Sequence, residues 1–241
     1  MPLSTPFKLK IIDFLYSLLP NKIINILVNR YFFFEHLNRS YSQEGEDLLL
    51  NRYFKNKPLG FFCDVGSYHP KQYSNTYHFY LKGWRGINID PRPGSKEIFN
   101  QARPNDINLE LGIADQAGGK LVYNLYSNPV YNSFSSEAVE EAEKTGEVLV
   151  EIQRLEYVFD NYLPKGMSID FLSIDVEGFD LEVLKSNNWD RYSPEVVVVE
   201  FFGESIQVFL ESDIYEYLSG LGYRYFANTV NSYFFQLPKA N

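Results

Sequence analysis

The sequence predicts an α/β protein with a mainly parallel β-sheet, helices on both faces, and an N-terminal helical extension. From residue 42 onward, apolar runs of strand length alternate with helical segments, an order typical of parallel sheets. Near the end of the chain, apolar segments at 222–226 and 232–236 are separated by a short turn, which predicts a hairpin and one antiparallel strand. No linker rich in Pro, Gly or Ser divides residues 41–241, so we predict one domain there, preceded by the extension at 1–40.

The composition restricts the class of protein. Of the 241 residues, 45% are apolar and 22% are charged, which is typical of a folded globular chain. The net charge of −9 argues against a nucleic-acid partner, because binding the phosphate backbone requires a basic face. The single cysteine, Cys63, excludes an internal disulfide and a paired-cysteine zinc site. We therefore expect a cytoplasmic protein with a reduced thiol.

Strands are predicted where short apolar runs end in an acid or a glycine. The strongest signal is the run of four valines within 195–201. The other predicted strands are 60–65, 86–90, 107–114, 120–125, 170–174 and the two hairpin segments. The stretch 126–148 is polar and has little periodicity, so we predict a long loop with some helix there.

Helices are predicted where a polar capping residue precedes an apolar pattern of helical period. Ser42 precedes such a pattern that begins at Leu48, and Ser74 precedes one that continues to about Leu81. The remaining predicted helices are 94–102, 155–162, 179–184 and 211–219.

The extension differs from the rest of the chain in charge. Residues 1–40 hold five basic and two acidic residues, a net charge of +3, whereas residues 41–241 carry −12. Its apolar residues fall in helical blocks, and its longest uncharged run, 14–21, is about half as long as a membrane span. Two interpretations stay open. The helices either pack on the domain or on a second copy as a homodimer contact, or lie on anionic lipid at the inner face of the membrane.

Acidic residues follow two predicted strands, at the edge where parallel sheets bind ligands. Asp64 and Gly66 end the first strand, and Asp90 ends the second, 24 residues beyond Gly66. An acid at this place suits hydrogen bonds to both hydroxyls of a ribose. The chain lacks the P-loop lysine pattern, and the first turn has one glycine where dinucleotide sites have three. A nucleoside cofactor without a pyrophosphate, S-adenosylmethionine, fits this pattern.

A second acidic motif, Asp175-Val176-Glu177-Gly178, follows the predicted strand at 170–174. Two acids at i and i+2 on a loop project from one rim of the sheet. They either cap the helix that begins near Phe179, or contact the amino group of the cofactor or an acceptor hydroxyl. In the second case, one acid acts as a base or a metal ligand.

Seven short motifs occur in a fixed order between residues 42 and 202. They are Ser42-Gln43-x-Gly45-Glu46-Asp47, Phe62-x-Asp64-Val65-Gly66-x-x-His69-Pro70, Ser74-Asn75-Thr76, Gly83-Trp84-x-Gly86-Ile87-Asn88-Ile89-Asp90-Pro91, Arg103-Pro104-x-Asp106, Ile174-Asp175-Val176-Glu177-Gly178 and Asn188-Trp189. In order and spacing they resemble the FkbM family of S-adenosylmethionine-dependent methyltransferases. The resemblance implies a class I methyltransferase fold, Rossmann-like with seven strands. It also implies an enzyme that methylates hydroxyl oxygens, often on sugars of surface polysaccharides or glycosylated natural products.

The resemblance further implies roles for individual residues. The first turn would hold the methionine part of the cofactor, Asp90 the ribose, and the end of the third strand the adenine. The residues implied for the cofactor are Asp64, Gly66, Ser67, Asn75, Asp90, Gly112, Ile113 and Asp175. Asp175 and Glu177 lie where the methyl group and the acceptor meet.

Three residues are candidates for the general base, which is needed because a protonated sugar hydroxyl is a poor nucleophile. His69 is the first, since it lies in the cofactor turn and histidine titrates near physiological pH. Its alternative role is a turn residue whose imidazole bonds to the backbone. Asp175 and Glu177 are the rival bases. The same three residues would be the ligands of a magnesium ion if one binds, although we do not expect a metal.

The aromatic content of 17% has two interpretations. The phenylalanines that fall mostly on predicted strands belong in the core; they are Phe61, Phe62, Phe171, Phe201 and Phe202. The tyrosines and asparagines near the 126–148 loop are suited to stack on sugar faces and to bond sugar hydroxyls; they are Tyr123, Tyr126, Tyr131, Asn124, Asn128 and Asn132.

A sugar or glycan is therefore the predicted acceptor, and polysaccharide or glycoconjugate biosynthesis the predicted role. The alternatives are methylation of a small natural product, a lipid or a protein. An alternative of another class is a non-catalytic module that binds the cofactor or a carbohydrate.

Overall fold

The chain divides into two units, Met1–Arg39 and Ser40–Asn241. The computed structural model describes residues 10–11, 14–15, 18–19, 21–27, 38–116, 118–135, 142–203 and 205–238. In the first unit, helix α1 spans Asn21–Leu27, and Ile24 is buried while Phe14 and Leu18 are exposed. In the part of the chain that the structure describes, no helix has both the length and the hydropathy of a membrane span. The aromatic run 31–34 lies outside the described residues, and the lipid and homodimer interpretations of the extension stay predictions.

The second unit alternates strands and helices. Its strands are β1 (Phe61–Val65), β2 (Arg85–Ile89), β3 (Ile107–Leu109), β4 (Gly112–Ile113), β5 (Lys120–Tyr126), β6 (Lys144–Gln153), β7 (Phe171–Ile174), β8 (Val196–Glu200), β9 (Arg224–Asn228) and β10 (Ser232–Gln236). Its helices are α2 (Glu46–Tyr53), α3 (Tyr77–Leu81), α4 (Ser95–Ala102), α5 (Leu155–Tyr162), α6 (Asp180–Lys185), α7 (Ile206–Leu210) and α8 (Asp213–Gly220). A short 3₁₀ turn spans Pro129–Tyr131.

Seven strands form one sheet in the order β3-β2-β1-β7-β8-β10-β9. The pairs from β3 to β8 are parallel, and β10 is antiparallel to both β8 and β9. This order confirms the predicted fold class, a Rossmann-like sheet with an antiparallel last strand. The chain first moves outward from β1 to β3 and then returns to β7 beside β1. The carboxyl ends of β1 and β7 therefore meet at the switch point where such sheets bind ligands.

Apolar side chains cover both faces of this sheet. Alternation along β1 directs Phe61 and Cys63 into one core, with Ile174 and Val199, and directs Phe62 into a second core with Phe171 and other aromatic side chains. Because the central strands are buried on both faces, they read as continuous apolar runs in the sequence. The predicted core therefore holds for Phe61, Phe62 and Phe171. Phe202, in contrast, lies beyond β8 and is 57% exposed.

Two predictions about the middle of the chain are wrong. The predicted strand 107–114 is broken: β3 pairs with β2, whereas β4 leaves that sheet and pairs with β6. The predicted loop 126–148 contains the start of β6, a ten-residue strand that forms an antiparallel ribbon with β5. Charged and polar residues on the exposed side of this ribbon hide its strand pattern. Helix α7 was also not predicted, and its N-cap is Ser205, whose hydroxyl accepts from the Val208 amide.

Hydrogen bonds join a segment near the beginning of the second unit to the β9–β10 hairpin near its end. Glu46, at the start of α2, is 3% exposed, and its carboxylate accepts hydrogen bonds from the hydroxyls of Ser232 and Thr229. The Asn231 amide donates to the carboxylate of Glu44 at 2.9 Å. These bonds join the segment before α2 to the β9–β10 hairpin.

Candidate active site

A cavity of about 510 Å³ opens at the carboxyl ends of the parallel strands. It is in the size range of small-molecule sites. Its wall includes the ends of β1, β2, β7 and β8, the β4 strand and residues around the 3₁₀ turn. The predicted site residues that line it are Gly66, Asp90, Gly112, Ile113, Asp175 and Glu177.

The first turn is packed tightly between two strands. The amides of Gly66 and Ser67 donate to the Ile89 carbonyl, at 2.9 and 3.1 Å, and the Asp175 amide donates to the Val65 carbonyl at 3.0 Å. Gly66 has a φ of +83°, and a Cβ there would lie 1.7 Å from the Asp175 carbonyl oxygen. Only glycine allows this close approach, so position 66 contributes backbone alone to the cavity wall.

Three residues predicted to bind the cofactor do not line the cavity, and their side chains instead form hydrogen bonds within and beneath the sheet edge that carries this turn. The Ser67 hydroxyl is buried and donates to the Ile89 carbonyl at 3.3 Å. Asp64 accepts from the Thr76 hydroxyl at 2.9 Å, and burial raises the pKa of Asp64 to about 6. The Asn75 amide donates to the Ser173 hydroxyl at 3.0 Å. The turn and the strands beneath it are thus held together by side-chain bonds.

Asp90 lies at the end of β2 and lines the cavity. The Arg92 amide donates to its Oδ1 atom at 2.8 Å, which fixes the carboxylate. Burial raises the pKa of Asp90 to about 6, against the opposing effect of the Arg92 guanidinium. The position is the one that suits a pair of ribose hydroxyls.

An apolar wall stands beside Asp90. Gly112 and Ile113 line it, and a Cβ on Gly112 would lie 2.4 Å from the Phe134 ring. The Phe134 ring also contacts Tyr123, with centroids 4.9 Å apart. The wall is apolar, so a planar base can pack against it.

Three carboxylates of the cavity wall lie close together. An oxygen from each of Asp175, Glu177 and Glu200 lies within 4.8 Å of the other two. The register explains it: Ile174 pairs with Val199, so Asp175 and Glu200 each follow a paired residue on neighbouring parallel strands. Among the described residues, no lysine, arginine or histidine lines the cavity.

Like charges and burial determine how this acidic cluster, Asp175, Glu177 and Glu200, titrates. Burial and the Asp175 charge raise the pKa of Glu177 to about 8. The same two causes raise the pKa of Glu200 well above its ordinary value. A pair of carboxylates at such distances repels by about 3 kcal/mol at an effective dielectric constant of about 20. The cluster therefore favours a bound proton or a bound cation.

Glu177 is held in a left-handed backbone conformation with a φ of +55°. The Ser133 hydroxyl donates to the Glu177 carbonyl at 2.7 Å and stabilises this turn. A non-glycine residue at positive φ carries backbone strain, which concentrates at functional sites.

His69 does not join the cluster and does not line the cavity. Its Nδ1 atom accepts from the amides of Lys71 and Gln72, at 3.2 and 2.9 Å. Burial and the charges of Arg92 and Lys71 lower the pKa of His69. The imidazole thus has the turn-forming role that was its alternative interpretation, and Glu200 takes the third place beside Asp175 and Glu177.

Most of the loop side chains predicted to contact a sugar instead hold the loop together. The Tyr123 hydroxyl donates to the Asn132 carbonyl, Asn124 donates to the Ser135 carbonyl at 2.7 Å, and the Asn132 side chain accepts from the Tyr126 amide. Asn128 caps the 3₁₀ turn. Three of the predicted residues, Tyr123, Tyr131 and Asn132, nevertheless line the cavity. The other aromatic residues of its wall are Tyr68, Tyr73 and Phe134, which the sequence did not single out, and Phe202, which was predicted to lie in the core.

Glu200 is the acidic residue that sequence reasoning missed. It follows the four valines of β8 as Asp175 follows β7, and this position at a strand's carboxyl end was a usable signal.

Comparison with known families identifies the fold and the activity together. The family model described as the Methyltransferase FkbM domain matches residues 64–225, more than half of the chain. The chain belongs to the FkbM methyltransferase family. The FkbM match begins at Asp64 in β1 and ends in β9, so it contains Asp90 and the whole acidic cluster. The protein is therefore a methyltransferase. Among curated proteins, none matches this FkbM chain.

Proposed function

We propose that the protein is an S-adenosylmethionine-dependent O-methyltransferase that acts on a hydroxyl of a neutral sugar, in polysaccharide or glycoconjugate biosynthesis. The observation that carries the proposal is one cavity whose wall joins a recess formed by Asp90, Gly112, Ile113 and Phe134 to three carboxylates, with no basic residue among the described lining residues.

The residues of the recess fit the cofactor. Asp90 would accept hydrogen bonds from the ribose hydroxyls, and the wall of Gly112, Ile113 and Phe134 would contact the adenine. The Gly66 turn would leave room for the methionine part. When bound, S-adenosylmethionine supplies an electrophilic methyl group, and its carbon–sulfur bond breaks as the new carbon–oxygen bond forms.

The charges of the cavity select the chemistry of both ligands. Asp90 and the acidic cluster attract the sulfonium and ammonium groups of the cofactor, and they disfavour an acceptor that carries phosphate or carboxylate. A sugar hydroxyl is neutral and meets this condition. Tyr73 and Tyr131 also line the cavity, and aromatic rings of this kind can stack on a sugar face.

The acidic cluster would act on the acceptor. Its carboxylates would orient the hydroxyl by hydrogen bonds and receive its proton as the oxygen attacks the methyl carbon. His69 lies outside this group and is not needed for the step.

Calorimetry with S-adenosylhomocysteine tests the cofactor assignment without an acceptor. We expect binding by the full chain, loss of most of the affinity in Asp90→Asn, and full affinity in the control Glu97→Gln, which changes an exposed acid on α4. Absence of heat with the unmodified protein would contradict cofactor dependence and would favour a module that binds carbohydrate only.

Transfer of labelled methyl groups to a panel of acceptors tests the substrate class. The panel pairs each neutral oligosaccharide with a matched uronic-acid form and includes a lipid, a peptide and a small hydroxylated natural product. We expect label on the neutral sugars. Label on another class alone would replace the sugar by that class.

A further inference from the structure

The acidic cluster lies at the ends of buried central strands of the sheet. Asp175 and Glu200 follow neighbouring buried strands in fixed register, and the Asp175 amide is bonded to β1. Glu177 is fixed by the bond between its carbonyl and Ser133. The backbone positions of the three carboxylates are therefore fixed relative to one another, as a binding site requires.

One carboxylate of the cluster, that of Glu200, is buried against a second carboxylate, that of Asp175. Glu200 is only 8% exposed, it lines the cavity, and its Oε2 atom has no hydrogen-bond partner among the described residues. Buried polar atoms are nearly always paired with protein, water or an ion. No basic side chain lines the described cavity wall, so no positive charge of the wall offsets the three carboxylates.

We infer that Asp175, Glu177 and Glu200 form a binding site for a hard divalent cation, Mg²⁺ or Mn²⁺. Every ligand atom is a carboxylate oxygen, the type that hard cations prefer, and neither histidine nor cysteine belongs to the set. Two oxygens bound to one cation at about 2.1 Å lie up to about 4.2 Å apart. The carboxylate oxygens of the cluster lie within 4.8 Å of one another, so small side-chain movements bring them to the distances that one cation requires.

The role of the cation in transfer rests on the proposed function. A cation with three protein ligands keeps open positions toward the cavity, where an acceptor hydroxyl can coordinate. Coordination lowers the pKa of the hydroxyl, as a metal does for bound water. The oxygen then forms its bond to the methyl carbon, the carbon–sulfur electron pair stays on sulfur, and the hydroxyl proton passes to a carboxylate oxygen of the cluster and from there to solvent. The cation also neutralises the repulsion among the three carboxylates.

Manganese binding to the chelator-treated full chain tests the site directly. Free Mn²⁺ is followed by electron paramagnetic resonance, without cofactor or acceptor. We expect one site per chain, weakened by about tenfold or more in Glu200→Gln and in Glu177→Gln, since a lost ligand costs at least as much as a lost outer-shell partner. The controls Glu97→Gln and His69→Ala should bind as the unmodified protein does. Circular dichroism and urea unfolding verify that each variant folds.

The outcomes separate this inference from the proposed function. Absence of Mn²⁺ binding by the unmodified protein, or equal binding by all the variants, would overturn the cation site. A loss in His69→Ala as large as in Glu200→Gln would also overturn it. Mn²⁺ binding that follows the expected pattern supports the site even if no sugar becomes methylated, a result that would contradict only the proposed acceptor.

Discussion

The close contact between Gly66 and the Asp175 carbonyl can be tested by adding a single methyl group at position 66. Gly66→Ala should displace the first turn from β7, because its Cβ would lie 1.7 Å from the Asp175 oxygen. We expect a large fall in unfolding free energy and a loss of cofactor affinity of about tenfold or more, the equivalent of about 1.4 kcal/mol. Gly166 is a matched control, since its φ is +76° and nothing lies within 4 Å. Gly166→Ala should cost only backbone strain, about 1–2 kcal/mol.

Urea unfolding and calorimetry with S-adenosylhomocysteine measure both effects. Equal losses in the two glycine variants would show that backbone conformation alone, and not the contact with Asp175, determines the need for glycine at position 66.

The buried Asp90 carboxylate should lower the stability of the folded chain at neutral pH, although it contributes to cofactor binding. Its pKa in the folded chain, about 6, lies above the ordinary value of 3.8, so stability falls as pH rises from about 4 through about 6. Asp90→Asn should therefore raise the melting temperature at neutral pH while it weakens cofactor binding. In the unmodified protein, affinity for S-adenosylhomocysteine should decline below about pH 6, as the carboxylate gains a proton. A scan of affinity against pH in both proteins checks this, and an equally steep profile in the variant would contradict it.

The residues of the site were predictable where a strand end alone determines their position. Gly66, Asp90 and Asp175 follow apolar runs, and they line the cavity as expected. Glu200 also ends an apolar run and could have been singled out in the same way, but its place beside Asp175 depends on strand order, which the sequence does not state. The prediction for His69 was wrong for a related reason. Its neighbour Tyr68 lines the cavity, but the His69 ring accepts hydrogen bonds from the amides of Lys71 and Gln72 within its own turn.

At the scale of elements, predictability follows burial. β1, β7 and β8 are covered on both faces and have unbroken apolar runs, so their positions were predicted closely. β6 projects one side to solvent and carries charged residues there, so it resembled a loop. The break between β3 and β4 depends on pairing with β6, a partner distant in sequence.

The ribbon of β5 and β6 gives a prediction within one strand. Ile152 is fully buried, so Ile152→Ala should lower the unfolding free energy by about 2–5 kcal/mol through the cavity it leaves. Leu149 on the same strand is 62% exposed, and Leu149→Ala should change stability by no more than about 0.5 kcal/mol. Urea denaturation of both variants is the measurement. Similar losses would mean that the outer face of the ribbon is covered in solution.

For the whole molecule, charge should determine which acceptors react. The net charge of −9 adds a long-range field to the acidic lining of the cavity. We expect kcat/KM for an acceptor with a carboxylate to be lower than for its neutral counterpart, and the difference to shrink as salt screens the field. Assays across a range of ionic strength measure it. A difference that does not change with salt would indicate a steric cause.

The bonds between the α2 segment and the last hairpin have a consequence for synthesis of the protein. Glu46 and Ser232 are 186 residues apart in sequence, yet their side chains are hydrogen-bonded, and Ser232 is the sheet partner of Glu200. While β10 is still inside the ribosome, Glu46 lacks this bond and β8 lacks its antiparallel neighbour. The edge of the sheet beside Glu200 is therefore completed only after β10 has left the exit tunnel.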